Sequence, residues 1–372
     1  MPAEQLRAYL KFHLADGVGA VRMRAILEAF GDVQSAARAG REAWLRVEGI
    51  GAKTADAIAA VSDRQIDEEL TLAEEMNVSL LALDDPDYPP AIKTIHDPPA
   101  VLYVRGRLEK TDAVASAIVG SRRCTHYGLE QAERFGQLLA RSGFTVISGG
   151  ARGIDTAAHR GALSVPGRTI AVMGCGLSHI YPPENRDLFE QIASDGRGAL
   201  VSELPLRTAV LPGNFPTRNR IISGLSLGVL IVEAALKSGS LLTARDAAEQ
   251  GRSVFALPGR VDSPLSQGTN ELIRTGVTLV QTLDDILEDL GTVGEKLAEE
   301  TPAPSNAIPA GLDDTEQSLL SALSDGPLSL DELVRRTDLP SPKVTACMTM
   351  LVLKGHVAQQ PGSVFARKRR PR

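Results

Sequence analysis

The stretch from Val119 to Gly259 repeats one pattern, in which an apolar run ends in a glycine-rich turn and a helix-like segment follows. The first N–H groups of a helix have no partner inside it, and the helix dipole adds positive charge there, so such turns favour anions. The turns cover residues 119–123, 148–153, 174–176 and 237–240, and they contain the basic residues Arg122, Arg123, Arg152 and Lys237. Several such turns along one sheet edge predict a ligand that carries phosphate, with a polymer as one form of it.

One segment combines an aromatic ring with two guanidinium groups at the start of a predicted helix. Asn214 is a residue type that caps helices, and Pro216 suits a first helical turn. Phe215 would then lie beside Arg218 and Arg220, where a base could stack on the ring while the cations hold phosphates. The alternative is a hydrophobic staple, in which Phe215 packs on the next turn of its own helix.

Two common nucleotide-binding motifs are missing from these turns. The dinucleotide fingerprint Gly-x-Gly-x-x-Gly needs three glycines, but the turn at Gly120 lacks the second and the turn at Gly174 lacks the third. The Walker motif needs glycines ahead of its lysine, and none precedes Lys237 closely enough. We therefore expect no nucleotide hydrolysis and no cofactor.

Side chains that could act as acids or bases also lie in this region. Asp155 and His159 are four residues apart on one predicted helix, which places them on the same face. Such a pair is either a base with its orienting carboxylate or a hydrogen bond that stabilises the helix, and no nucleophile lies beside it. Glu203 and Glu233 follow predicted strands, and they either act as catalysts or orient the basic side chains.

The composition limits the classes of protein to which the chain can belong. Its 372 residues include 43 % hydrophobic and 4 % aromatic residues and carry a formal net charge of −6, so any nucleic-acid binding must use local basic patches. The cysteines Cys124, Cys175 and Cys347 are too widely spaced for a disulfide framework or a zinc site, and no metal is expected. Neither a signal peptide core nor an apolar run of about 18 residues occurs. We expect a soluble, cytoplasmic protein without a membrane contact.

Strand and helix patterns alternate in the middle of the chain. Near-continuous apolar runs, typical of strands buried on both faces, lie at 114–119, 144–148, 169–173, 200–203, 229–232 and 254–256, with weaker strand patterns at 78–83 and 100–104. Helix patterns lie between them at 128–141, 154–163, 184–193, 216–225 and 240–250. This alternation predicts an α/β fold with a doubly wound, mostly parallel sheet in a domain at residues 66–290.

Residues 1–65 show a helical period and contain two similar glycine turns, 16–20 and 48–55. This pattern resembles a tandem helix-hairpin-helix motif, whose glycine hairpin offers backbone N–H groups to a DNA phosphate, here with Lys53 beside it. The alternatives are a purely structural helical module and a module that contacts another protein.

The C-terminal part divides into a linker, a small helical unit and a basic tail. Residues 291–312 are rich in proline and small residues, which is typical of a linker. Residues 313–372 contain three helical patterns and a hairpin-like piece, an arrangement that resembles a winged helix. The five positive charges at 367–372 predict a solvated tail, with weak nucleic-acid contact as the alternative.

Several motifs occur together in the order found in one protein family. They are 120–122, 148–155, 181–185, 215–222 and 237–241, preceded by the turn-rich run 87–103. Over about residues 75–285 the chain therefore resembles the DprA (Smf) family of bacterial DNA-processing proteins. The flanking modules also fit, because the family often adds a small helical domain, here helix-hairpin-helix or SAM-like, and a winged-helix domain.

The resemblance implies an extended Rossmann-like domain whose basic pocket binds single-stranded DNA. It also implies a non-enzymatic homodimer that protects incoming strands and loads the recombinase RecA during natural transformation. By motif, Arg122 would hold a phosphate, Ser121 and the turn 149–153 would add backbone donors, and Phe215 would meet a base. The expected nucleic-acid contacts are Gly120, Ser121, Arg122, Arg123, Gly150, Arg152, Gly153, Asn185, Phe215, Arg218, Asn219, Arg220, Lys237 and Ser240.

Two other classes of function stay open at this point. The core also resembles the lysine-decarboxylase-like phosphoribohydrolases, which cleave nucleoside monophosphates and carry a Pro-Gly-Gly-x-Gly-Thr-x-x-Glu turn. The corresponding run 237–243 lacks the glycine pair and the spaced glutamate, which argues against this chemistry. A transcription factor would instead use the winged helix on duplex DNA and the core as a ligand sensor.

Overall fold

A nine-stranded sheet forms the centre of the larger of two units into which the chain divides, Met1–Glu299 and Glu300–Arg372. The computed structural model describes residues 1–194, 196–291, 312–323, 328–337, 339–354, 356–360 and 364–367. The strands of the sheet are β1 Val78–Ala82, β2 Val101–Gly106, β3 Ala115–Val119, β4 Thr145–Ser148, β5 Thr169–Val172, β6 Gly198–Ser202, β7 Gly228–Ile231, β8 Ser253–Ala256 and β9 Thr278–Leu279.

The strand order is β1-β2-β6-β5-β4-β3-β7-β8-β9. In this spatial order, every pair of neighbouring strands between β6 and the edge strand β9 is parallel. Strand β2 instead pairs antiparallel with both of its neighbours, β1 and β6. Strands β4 to β6 extend the sheet to one side of β3, and β7 to β9 extend it to the other, so the chain reverses its winding direction beside β3. The predicted doubly wound, mostly parallel α/β sheet is confirmed.

Helices cover both faces of the sheet. Every residue of β3 to β7 is buried, which explains why these strands are almost entirely apolar in sequence. The neighbours Val146 and Ile147 of β4 belong to two different apolar clusters, because successive strand residues point to opposite faces. One cluster contains Ile221 of a covering helix and the other contains Phe135.

The helices of this unit are α1 Ala3–His13, α2 Ala20–Phe30, α3 Val33–Ala39, α4 Arg41–Trp44, α5 Ala52–Ala60, α6 Asp63–Glu75, α7 Pro90–Lys93, α8 His126–Arg141, α9 Ile154–Leu163, α10 Arg186–Ser194, α11 Asn214–Gly224, α12 Ser240–Glu249, α13 Gln267–Arg274 and α14 Leu283–Asp289. Single 3₁₀ turns lie at Lys110–Ala113 and Pro183–Asn185. Asn214 is the first residue of α11 and does not cap it as predicted, because Gly213 occupies the cap position.

The N-terminal helices pack against the β1–β2–β6 end of the sheet. One apolar cluster joins Phe12, Ile26 and Trp44 of these helices to Tyr103 and Leu200 of the strands. The helices therefore share a core with the sheet, and the domain boundary at residue 65 stays a prediction.

The two predicted glycine hairpins in these helices have the same backbone. Gly17 and Gly49 have φ angles of 82° and 79°, a left-handed conformation that favours glycine. Gly19 and Gly51 then precede α2 and α5 with matching extended conformations. The side chain of Arg22 donates to the carbonyl oxygens of both Gly17 and Gly49 and so joins the two hairpins.

The second unit has the predicted winged-helix pattern. It contains α15 Asp314–Ala322, α16 Leu330–Thr337 and α17 Ser341–Leu353, with strands β10 Leu328–Ser329, β11 Val357–Gln360 and β12 Val364–Arg367 in the order β10-β12-β11. Leu319, Leu333, Val344 and Met348 lie in its core. Residues 292–311 of the predicted linker and 368–372 of the basic tail lie outside the described residues.

Within the described ranges, no helix has both the length and the apolar character that a membrane span requires.

Helices α8 and α9 approach so closely at Gly161 that a side chain has no room. A Cβ atom at Gly161 would overlap the backbone carbonyl of Glu133. We expect Gly161→Ala to push the helices apart and to lower the free energy of unfolding by about 1–3 kcal/mol. Urea unfolding, followed by the fluorescence of Trp44, the single tryptophan, measures this change.

Gly213→Ala is the matched control for this prediction. Gly213 has a φ of −66°, and nothing lies within 4 Å of a Cβ at this position. We expect its unfolding free energy to change by less than about 0.5 kcal/mol. Equal losses in the two variants would contradict the close-packing explanation.

Candidate nucleic-acid interface

A cavity of about 760 Å³ opens at the carboxyl ends of β3 and β7, where the winding direction reverses. Ligands of open parallel sheets bind at this switch point. Three of the four predicted anion-binding turns contribute to the lining, through residues 120–123, Ala151 and residues 238–240. The fourth turn, 174–176, lies beneath an aromatic ring of the site.

Arg122 and Phe215 form a cation–aromatic pair in this cavity. Arg122 is exposed, and its guanidinium carbon lies 5.1 Å from the centre of the Phe215 ring, within the range of a cation–π contact. Phe215 is half-buried and lies against the backbone of Gly174, where a Cβ would come within 2.7 Å of the ring. Phe215 is the second residue of α11, whereas a hydrophobic staple needs a residue ahead of the helix cap, so the staple interpretation is wrong.

Three of the expected backbone donors are engaged inside the protein. The N–H of Ser121 donates to the carbonyl oxygen of Glu233 at 2.8 Å. The N–H groups of Gly149 and Ala151 donate to one carboxylate oxygen of Asp155, at 3.1 Å and 3.3 Å. The predicted role of these groups as phosphate donors is therefore corrected: internal acceptors hold them, and they shape the turns.

Arg218 lies on the cavity floor and is only 4 % exposed. Its Nη1 donates to the carbonyl oxygens of Gly149, at 2.7 Å, and Val172, while its Nε has no hydrogen-bond partner among the described residues. Burial lowers the pKa of Arg218 to about 10, against the opposing effect of the Asp155 carboxylate. The side chain is therefore still charged at neutral pH, and it places positive charge beneath the cavity.

The Asp155–His159 pair does not form a catalytic arrangement. Asp155 accepts from the backbone, and burial raises the pKa of its carboxyl. His159 is fully buried, its Nδ1 lies 2.7 Å from Oγ1 of Thr169, and burial lowers its pKa to about 3. Glu233 accepts from the N–H and hydroxyl of Thr125 at 2.8 Å and 2.6 Å. Asp155 and Glu233 therefore hold turn residues in place, and His159 joins α9 to β5.

Arg220 does not line the cavity. Its guanidinium donates to both carboxylate oxygens of Glu203 at 2.6 Å and lies 2.8 Å from the carboxylate of Asp97. Only 7 % of Arg220 is exposed. We therefore remove Arg220 from the expected phosphate contacts, because buried ion pairs hold it elsewhere. Glu203 orients a basic side chain, which is one of the two roles that the sequence left open.

The structure brings together eight of the fourteen expected contact residues. Those that line the cavity are Gly120, Ser121, Arg122, Arg123, Phe215, Arg218, Asn219 and Ser240. Those outside its lining are Gly150, Arg152, Gly153, Asn185, Arg220 and Lys237. Asn185 is buried and donates to the carbonyl of Gly150 and the hydroxyl of Thr156, at 3.1 Å and 2.7 Å, so it braces the turn after β4. Lys237 is exposed.

Tyr181 lines the cavity but was not among the expected contacts. Its ring centre lies 5.7 Å from that of Phe215. A signal was present in the sequence, because aromatic residues are rare in this chain and Tyr181 precedes two prolines in a turn between a strand and a helix.

In the described ranges, no three His, Cys, Asp or Glu side chains cluster in a way that could hold a metal ion.

Comparison with known proteins assigns the chain to a family. A family model described as DNA recombination-mediator protein A matches residues 79–291, more than half of the chain, and a model described as the DprA winged helix domain matches residues 301–363. The chain belongs to the DprA family. The predicted family resemblance is thus confirmed, and both matched regions agree with the two units of the structure.

Relatives in the DprA family cover most of this chain. Protein Smf of Synechocystis sp. is 36 % identical over 97 % of this chain and 98 % of its own length. The crystal structure of DprA from Streptococcus pneumoniae has a TM-score of 0.68 and 32 % identity, covering 78 % of this chain and 98 % of its own. A structure of DNA processing protein A from Helicobacter pylori, described for its single-stranded DNA binding mode, has a TM-score of 0.52 and 34 % identity. The match covers 58 % of this chain and 96 % of the Helicobacter pylori chain.

The different surroundings of Arg220 and Arg122 in this DprA-family fold predict different effects on stability. Arg220→Met leaves Glu203 and Asp97 without their cation, and we expect a loss of about 3–5 kcal/mol in unfolding free energy. Arg122→Met removes an exposed side chain, and we expect a change within about 0.5 kcal/mol. Urea unfolding of both variants tests this, and a fully stable Arg220→Met variant would contradict the structural role of the ion pairs.

Proposed function

We propose that the protein binds single-stranded DNA in the cavity at the switch point of its sheet, and that it acts by binding and not by catalysis. The observation that carries the proposal is the contact between Arg122 and Phe215. A guanidinium suits a phosphate, and an aromatic ring beside it stacks on any base, which is how proteins bind single strands without sequence preference. The Helicobacter pylori relative, known for its single-stranded DNA binding mode, supports this assignment.

The charge distribution around the cavity favours a polyanion despite the net charge of −6. Arg122 and Arg123 are exposed at the turn after β3, and the buried Arg218 adds a charge beneath them. The start of α12, at Ser240, also lines the cavity and contributes the positive end of a helix dipole. Asp155 is engaged by backbone N–H groups, which moderates its repulsion of a phosphate.

The family assignment supports a place in DNA processing. We propose that the protein is cytoplasmic, protects single strands that enter during natural transformation and passes them to RecA, and that it acts as a homodimer. A RecA-dependent strand-exchange assay on DNA precoated with a single-strand-binding protein tests the transfer. Stimulation by the full chain is expected, and its absence would limit the function to strand binding.

Catalysis on nucleotides is the competing function. Asp155 lines the cavity. Asp155, Glu203 and Glu233, the acidic side chains that the sequence offered as catalysts, are all engaged in internal hydrogen bonds or ion pairs. We expect no base release from nucleoside monophosphates above the rate without protein. Base release that depends on one of these carboxylates would replace the binding function with an enzymatic one.

Binding through phosphate contacts must depend on salt. For single strands, the slope of log affinity against log salt changes by about 0.7 for each phosphate contact. We expect Arg122→Gln to weaken binding of labelled oligothymidylate and to lower this slope by about 0.7, measured by fluorescence anisotropy. Arg245→Gln is the control, because Arg245 is exposed, pairs with Glu249 and does not line the cavity. Equal slopes in Arg122→Gln and the unmodified protein would remove Arg122 from the site.

Stacking on Phe215 gives a separate prediction. We expect Phe215→Ala to weaken single-strand binding by about 1–3 kcal/mol, the usual contribution of one stacked base, while Phe215→Tyr keeps the ring and most of the affinity. Titration of both variants with the same oligonucleotide measures the difference, and urea unfolding shows whether each is folded. Unchanged affinity in a folded Phe215→Ala variant would contradict the role of the ring.

A further inference from the structure

Arg152 and Tyr181 repeat, beside Phe215, the arrangement of Arg122 and Phe215. The guanidinium carbon of Arg152 lies 5.6 Å from the centre of the Tyr181 ring, compared with 5.1 Å between Arg122 and Phe215. The two rings are 5.7 Å apart and inclined by 50°. A row of cation, ring, ring and cation therefore continues from the cavity on to the turn that contains Arg152.

Arg152 in this row already forms an ion pair with an acidic side chain of the protein, Glu184. Its Nε and Nη2 donate to the two carboxylate oxygens of Glu184, the second at 3.0 Å, and a guanidinium binds a phosphate in the same two-pronged way. Arg152 holds the pKa of the Glu184 carboxyl below its usual range, so Glu184 is an anion at neutral pH. The side chains of Arg152 and Glu184 are 46 % and 50 % exposed. Ion pairs so exposed to solvent are weak and exchange partners easily.

The backbone around Glu184 is held in place. Glu184 belongs to the turn Pro183–Asn185, and the buried Asn185 ties this turn to the carbonyl of Gly150 and the hydroxyl of Thr156. Asn185 therefore positions the turn of Glu184 against the turn of Arg152. The half-exposed ion pair of Arg152 differs from the ion pairs of Arg220, whose guanidinium is buried against its acidic partners and has no exposed face for a ligand.

We propose that Tyr181 and Arg152 form a second nucleotide subsite, next to the one at Phe215 and Arg122, and that Glu184 occupies its phosphate position until a DNA phosphate displaces it. This inference rests on the proposed single-strand binding. The base of the second nucleotide stacks on Tyr181, and its phosphate takes both guanidinium donors from Glu184. Glu184 competes with the strand for Arg152 and lowers the affinity for DNA.

The test uses the full chain, oligothymidylates spanning about 4 to 16 nucleotides and fluorescence anisotropy. We expect Glu184→Gln to bind about two- to fivefold more tightly, because it frees an exposed cation. Glu190→Gln is the matched control: Glu190 also forms a two-pronged ion pair, with Arg105, and does not line the cavity. Its affinity stays unchanged. We expect Tyr181→Ala to bind about five- to 150-fold more weakly, and Tyr181→Phe to retain binding.

A double-mutant cycle separates competition from simple repulsion. Arg152→Gln weakens binding, and in that background Glu184→Gln has no further effect, because no cation remains to be freed. An equal gain from Glu184→Gln with and without Arg152 overturns the competition. If the unmodified protein binds DNA through Arg122 but Tyr181→Ala and Glu184→Gln leave the affinity unchanged, only the second subsite is rejected. If the unmodified protein binds no single strand, the proposed function itself fails.

Discussion

The buried guanidinium of Arg218 links the parts of the molecule that make the cavity. It donates from α11 to carbonyls at the ends of β4 and β5, Gly149 and Val172. Its guanidinium lies so close to Gly149 that a Cβ there would come within 2.5 Å of it. Because Phe215 precedes Arg218 by less than one helical turn, the same anchor fixes the position of the aromatic ring.

Four arginines near the cavity differ in what surrounds them, and those surroundings set what each can do. Arg122 is exposed and contacts an aromatic ring. Arg152 is paired with Glu184, and both side chains are about half-exposed. Arg218 is buried on neutral carbonyls, and Arg220 is buried between two carboxylates. The same side chain is thus an exposed cation beside an aromatic ring, a half-exposed ion pair, a buried charge or a structural anchor.

Much of the fold could be predicted from the sequence because its signals are local. The apolar runs of β3 to β8, the glycine hairpins before α2 and α5 and the periodicity of the winged-helix unit each depend on neighbouring residues. Two features of the sheet were missed. Strands β1 and β2 join it as an antiparallel extension, and the two-residue β9 forms its other edge. Strand pairing depends on distant residues, and a strand as short as β9 has almost no pattern of its own.

The sequence alone determined that glycine-rich turns with basic residues follow buried strands and that an aromatic ring lies among arginines, since these facts need only residue type and spacing. The tertiary structure decided which of those groups can meet a ligand. Ser121 contacts Glu233, more than one hundred positions away, and Arg220 contacts Asp97 across a similar distance. Such pairings arise only when the strands assemble. Tyr181 likewise meets Phe215 because the fold brings a turn against the start of α11, and no local pattern could specify that contact.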